Sequence, residues 1–168
     1  MASLFSLPIL QTPRARLART VRAVTGGSSP LASRRVLVTG ASSGIGEATA
    51  YAAARRGAHV LLAARRADEL ERVRAAIEDA GGKASTYLVD MADGESIDAL
   101  VAQLLAEHGA VDYLVNNAGR SIRRSLELSH DRMHDFERMM AVNYFGAVRL
   151  TMGLLPAMRA QRFGHVVN

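Results

Sequence analysis

A doubly wound α/β fold built on a parallel sheet is what this sequence predicts, and three observations carry the prediction. Short apolar segments alternate with helical ones through residues 34–168. The apolar segments are near-continuous rather than alternating, as in strands covered on both faces. A glycine-rich turn joins the first of them directly to a helix.

The elements follow in order. Arg35–Thr39 (RVLVT) reads as a buried strand, and Gly44–Arg56 as a helix. Ala58–Ala63 (AHVLLA) is the second strand, followed by a charged amphipathic helix over Asp68–Ala80 that Gly81 and Gly82 close. Ala84–Val89 is the third strand, Ser96–His108 a helix stopped by Gly109, and Val111–Val115 the fourth strand. A long helical stretch covers Asp131–Arg159, and Gly164–Val167 opens a fifth strand in which the sequence stops. Such alternation implies right-handed βαβ units. No solenoid-type repeat is present.

Composition sets bounds. Half the residues are hydrophobic, which suits a globular domain with a core. There is no cysteine, so disulfides, thiolate metal sites and cysteine nucleophiles are excluded from these 168 residues, and a reducing cytoplasmic setting is the expectation. The net charge of +5 is concentrated at one end: residues 1–35 hold six arginines and no acid, whereas the remainder holds 15 basic and 16 acidic residues. The high pI therefore does not point to a nucleic-acid partner, and no interleaved aromatics support one. Residues 1–33 form an extension, ending in the linker-like Thr25–Pro30, ahead of a domain at 34–168. Three readings of the extension stay open: a peripheral membrane contact through residues 1–24, a transit-peptide-like segment, and an undocked arm.

The turn after the first strand reads Thr39-Gly40-Ala41-Ser42-Ser43-Gly44-Ile45-Gly46. Glycines there permit a tight turn and close approach of a pyrophosphate, while the following helix offers free N–H groups and a positive dipole end. Gly40, Ser42, Ser43, Gly44, Ile45 and Gly46 are thus candidate phosphate-binding residues. A dinucleotide site selects NAD with an acid at the end of the second strand and NADP with an arginine. This chain has Ala63-Ala64-Arg65-Arg66 and no acid before Asp68. NADP(H) is the preferred cofactor on this reading and NAD(H) the lesser one, with Arg65 the main contact; Arg66 reads equally as a helper or as a solvated charge at the helix start.

The glycine pattern TGxxxGxG, together with Asn116-Asn117-Ala118-Gly119 directly after the fourth strand, resembles the short-chain dehydrogenase/reductase family, whose Rossmann fold matches the order and spacing of elements from Arg34 to Asn168. The resemblance implies cofactor contacts from Asn116, Asn117, Ala118, Gly119 and Asp90, and a catalytic-site role for Asn143. Read by themselves, Asp90 is also a loop or capping acid, Asn116 and Asn117 are also turn residues, and Asn143 is an ordinary helix residue.

Hydride transfer to a carbonyl needs a proton donor for the developing alkoxide. The family uses a tyrosine in a Tyr-x-x-x-Lys pattern and a serine. None of Tyr51, Tyr87, Tyr113 and Tyr144 has lysine four residues on, and the sole lysine is Lys83. By the resemblance the serine would lie three residues past Asn168 and the Tyr-x-x-x-Lys soon after. The expectation is a fragment truncated in the fifth strand, poorly soluble and without reductase activity alone, of a protein that homo-oligomerises when complete.

The segments NAGRSIRRS, HDFERMMAVNYFGA and LLPAMR…GHVVN resemble bacterial fatty acyl-CoA reductases within the family. That implies a fatty acyl-CoA or long-chain aldehyde substrate, with Arg120, Arg123 and Arg124 as candidates to meet a coenzyme A phosphate; read by themselves, they are also loop arginines that are solvated or paired with nearby acids. Steroid, sugar or other alcohol and ketone substrates, and a non-catalytic nucleotide-binding module, are the alternatives.

Overall fold

The computed structural model describes residues 29–168; the membrane-contact and transit-peptide readings of the extension fall outside them. In chain order the elements are β1 (Arg35–Thr39), α1 (Gly44–Ala54), β2 (His59–Ala64), α2 (Ala67–Asp79), β3 (Lys83–Leu88), α3 (Gly94–His108), β4 (Tyr113–Val115), α4 (Met133–Met140), a π-helical turn (Ala141–Gly146), α5 (Ala147–Ala160) and β5 (His165–Val167). A short 3₁₀ turn, Leu126–Leu128, precedes α4.

All pairings are parallel and the strand order is β3-β2-β1-β4-β5. The order reverses at β1, so the crevice between the carboxyl ends of β1 and β4 is the topological switch point where such sheets bind ligands. Alternation along each strand sends side chains to opposite faces. Val36, Val38, Val60 and Leu62 pack against Leu70, Val73 and Ile77 on one side. Leu37, Leu61 and Leu114 pack against Ile97, Leu104, Leu150 and Leu154 on the other. The two layers confirm the doubly wound architecture expected from the sequence.

Two local features differ from the sequence expectation. The predicted single helix over 131–159 begins at Met133 and contains the π turn. Gly146 closes that turn against the β3–α3 loop, where an added Cβ would stand 2.2 Å from the Met91 carbonyl oxygen. Close backbone contact, not propensity, shapes the helix there. The domain also gathers in the last residues of the expected extension: Ser33 N–H donates to the Gly57 carbonyl at 2.8 Å, and Leu31 packs onto the core.

At the opposite end of the sheet from the switch point, Asp112 fastens β4 to β1. Its carboxylate accepts from the Arg35 backbone N–H at 2.8 Å, from Arg35 Nε at 3.0 Å and from Arg34 Nη1 at 3.2 Å. Burial pushes the Asp112 carboxyl up, but these bonds and charges outweigh it and leave the group below its ordinary range.

Candidate functional site

The cleft at the switch point is held open by a lock between two turns. Thr39 is fully buried. Its Oγ1 donates to the Val115 carbonyl at 3.2 Å and accepts from Asn117 N–H and Ala118 N–H, each at 3.0 Å. Asn117 Nδ2 in turn donates to the Thr39 carbonyl at 2.9 Å and toward the Gly40 carbonyl at 3.4 Å. The glycine turn is therefore tied to the end of β4 by backbone and side-chain bonds in both directions. Two glycines are required sterically. Gly40 has φ +67°, and a Cβ there would meet Ala118 Cα at 2.9 Å. A Cβ on Gly46 would stand 2.3 Å from the Gly40 carbonyl oxygen and 2.5 Å from Asn117 Nδ2.

These turns border a cleft of about 630 Å³. Gly40, Ser42 and Ser43 line it from the first turn, Arg65 and Arg66 from the end of β2, Asp90 from the end of β3, and Asn117, Ala118 and Gly119 from the end of β4. Nine of the residues expected from sequence thus meet at one site. Gly44, Ile45 and Gly46 belong to the same turn but lie off the cleft wall: Gly44 serves by its φ of +60°, Gly46 by its lack of a side chain, and Ile45 is 80% exposed at the start of α1.

The structure does not bring Asn116 to the cleft. Its side chain points to the β5 side, where Nδ2 donates to Thr151 Oγ1 at 3.2 Å and to Asn168 Oδ1 at 2.9 Å; its Oδ1 is buried without a hydrogen-bond partner among the described residues. Successive residues of an extended segment face opposite ways, so only one of the two asparagines can face the glycine turn. Asn143 is also off the cleft wall. It sits in the π turn and clamps the loop beyond β4, its Oδ1 accepting from Arg120 N–H at 2.7 Å and its Nδ2 donating to the Arg120 carbonyl at 2.8 Å.

Asp90 forms a turn with its own loop, Oδ1 accepting from Ala92 N–H at 2.9 Å, while Asp90 N–H donates to Ser96 Oγ at 3.0 Å. The cleft wall is electropositive: Arg65, Arg66, Arg120 and Arg138 line it and Asp90 is its sole acid. Arg65, Arg120 and Arg138 make no ion pair among the described residues, and Arg66 has one long contact, 3.9 Å to Glu69. Arg138 and Val142, both on the helix opposite the glycine turn, were not expected from sequence. Neither carries a local motif, and only the folding of α4 across the cleft reveals them.

The arginines past β4 separate into different roles. Arg124 is taken by buried Asp135, Nη1 to Oδ2 at 2.6 Å, and Arg132 Nε joins at 2.8 Å. Bonds from Arg132 and Arg124 hold the Asp135 carboxyl down to about 2. Of the two readings left open for Arg124, the structure shows the pairing with a nearby acid. Arg123 does not line the cleft, whereas Arg120 does.

None of the four tyrosines faces the cleft. Tyr51 donates to Glu47, Tyr87 donates to Glu107, Tyr113 stacks on His165, and Tyr144 is exposed beside Phe145. Lys83 begins β3, at the far end of the sheet. Neither a tyrosine nor a lysine of the described residues lines the cleft. No group of three or more metal-ligating side chains occurs among them either, and no helix among them is long and apolar enough to cross a membrane.

A family model described as short chain dehydrogenase matches residues 34–168. The chain belongs to the short-chain dehydrogenase/reductase family. Among particular relatives, it is 54% identical over 132 residues to a fatty acyl-CoA reductase of Acinetobacter baylyi, a match covering 79% of this chain and 45% of that one. The fold is similar to that of a metagenomic short-chain oxidoreductase solved in complex with NADP (TM-score 0.78, 36% identity, covering 82% of this chain and 62% of that one). It is also similar to L-sorbose reductase from Gluconobacter frateurii, complexed with NADPH and L-sorbose (TM-score 0.77, 33% identity, 83% and 53%). The chain spans less than half the length of the curated relatives it matches.

Proposed function

We propose that these residues form the cofactor-binding part of an NADP(H)-dependent oxidoreductase that transfers hydride between the nicotinamide and a carbonyl carbon. The observation that carries the reading is the end of β2. Ala64 stands where an acid would accept from a ribose 2′-hydroxyl, and Arg65 and Arg66 follow it on the cleft wall. The two tightly shaped glycines form a cradle that side chains would fill, as a pyrophosphate-binding turn requires. The residues present therefore fit the cofactor.

In this reading Ser42, Ser43 and the first turn of α1 receive the pyrophosphate, and Arg65 with Arg66 neutralises the 2′-phosphate. Asp90 takes the adenine end, and Asn117 with Ala118 and Gly119 forms the floor. Asn143 acts through Arg120, holding the loop that borders the substrate side. The bound cofactor supplies the hydride; this chain's residues orient it and exclude solvent from beneath it. Proton delivery falls to groups outside the described residues.

For the substrate, the likeness to the Acinetobacter baylyi reductase favours a fatty acyl-CoA. Reduction would consume one NADPH and one proton per thioester, releasing free coenzyme A and a long-chain aldehyde. Arg120 and Arg123 remain available for an anionic substrate group. The apolar side chains exposed along α4, the π turn and α5, among them Phe136, Phe145 and Met152, suit pairing of the complete protein. The test is an NADPH-oxidation assay of the complete protein with a long-chain acyl-CoA, scoring aldehyde and free thiol. Stoichiometric aldehyde and thiol are expected. NADPH oxidation with L-sorbose but not with acyl-CoA would replace the substrate reading by a sugar one.

A further inference from the structure

Arg72 lies on α2, one layer behind the cleft, and its guanidinium joins three parts of the domain. Nη1 and Nη2 grip the Glu47 carboxylate of α1 at 2.8 and 3.1 Å. Nε donates to Glu69 Oε2 at 2.9 Å. Nη2 also donates to the Ser42 carbonyl at 3.3 Å, inside the glycine turn. Tyr51 OH donates to the same Glu47 oxygen at 2.9 Å, which fixes the carboxylate from the other side.

The charges matter as much as the bonds. Glu69 stands between two arginines, 2.9 Å from Arg72 but 3.9 Å from Arg66. Arg72 holds the carboxylate, so Arg66 is left facing the cleft with only a long, weak contact. Without Arg72, Glu69 would turn to Arg66, and the unmatched Glu47 would sit beneath the glycine turn. The first change places negative charge beside any anion bound at the end of β2; the second lies by the turn that meets the pyrophosphate, which both cofactors share.

We propose that Arg72 is a positioning residue that sets the preference for NADP over NAD, by holding Glu69 away from Arg66 and the 2′-phosphate site. The proposal rests on the NADP reading above. NAD carries a hydroxyl and no phosphate at that place, so a carboxylate there does not repel it. A lysine cannot replace the guanidinium, because a single ammonium cannot span two carboxylates and a carbonyl in one plane.

The test titrates NADP⁺ and NAD⁺ calorimetrically into the complete protein carrying Arg72→Ala, Arg72→Lys, Arg72→Ala with Glu69→Gln, and Arg65→Ala, with thermal melts to confirm folding. Arg72→Ala is expected to weaken NADP⁺ by about tenfold while NAD⁺ shifts by about twofold or less, the difference expected of a nearby unbalanced charge. Adding Glu69→Gln is expected to restore most of the NADP⁺ affinity, and Arg72→Lys to fall between wild type and alanine. An unchanged ratio of the two affinities in both Arg72 variants would overturn the proposal, as would equal weakening of both cofactors. If Arg65→Ala also leaves NADP⁺ affinity untouched, the NADP reading itself fails; if Arg65→Ala weakens NADP⁺ but the Arg72 variants keep the ratio, only the present proposal fails.

Discussion

At the scale of single residues, the site is defined by what cannot be enlarged. Gly46 has no space for a methyl group: backbone and the Asn117 amide stand at 2.3 and 2.5 Å from where its Cβ would lie. Because the Thr39–Asn117 lock holds both turns, the collision cannot be relieved without opening the lock. Gly46→Ala is therefore expected to weaken NADPH binding on the order of tenfold or more, and to lower stability by about 1–3 kcal/mol, the usual cost of overpacking. Fluorescence titration and a denaturant melt check the two parts; unchanged affinity would show that the cradle is looser than its geometry. The glycine turn and the place of Arg65 on the cleft wall were legible in the sequence because each sits at the end of a strand, where local pattern is strong. The partner of Arg124 was not legible for the complementary reason. Its partner Asp135 lies 11 residues on, across a loop whose path no local pattern reveals.

At the scale of elements, the far ends of β2, β3 and α3 carry a titratable cluster remote from the cleft. His59 Nε2 lies 2.9 Å from Ser85 Oγ, and its ring meets that of His108 edge-on at 5.4 Å. Tyr87 OH lies 2.7 Å from His108 Nε2 and donates to Glu107 at 2.6 Å. Burial, then the charges of Lys83, His108 and Arg35, pushes His59 down to about 4 from 6.5. A base whose pKa falls on folding binds more protons unfolded, so the stability it contributes is complete above pH 6.5 and fades as pH falls toward 4. Stability is expected to drop by about 1–2 kcal/mol between pH 7 and 5, allowing for the partial exposure of the ring. In His59→Asn that drop should shrink, as read from urea melts at each pH. An identical pH slope in the variant would place the titrating group elsewhere. Sequence periodicity found every strand and the four main helical segments, with ends displaced by a few residues. It missed the π turn, since that depends on Gly146 meeting the Met91 carbonyl from a different part of the chain.

At the scale of the whole molecule, the parallel order β3-β2-β1-β4-β5 gathers the carboxyl ends of β1 to β4 at one edge of the sheet, and the strand-end residues of the cleft follow from that placement. The fold was legible because alternating apolar strands and helices leave few right-handed ways to build a sheet. The cleft was legible on the glycine-turn side, where motif and strand end coincide. It was not legible on the α4 side, where Arg138 and Val142 reach it only through tertiary packing. Asn116 and Asn143 lie beside the site in sequence or motif, yet the Asn116 side chain bonds α5 and the residue after β5, and the Asn143 side chain bonds the loop beyond β4. The central claim is that this cleft takes NADP(H) through Arg65. It is tested most directly by titrating wild type and Arg65→Asp with NADP⁺ and NAD⁺ under one salt condition. The account predicts NADP⁺ at least about tenfold tighter than NAD⁺ in the wild type, and a preference lost or reversed in the variant. Equal or tighter binding of NAD⁺ by the wild type, or a preference that Arg65→Asp leaves intact, would contradict it.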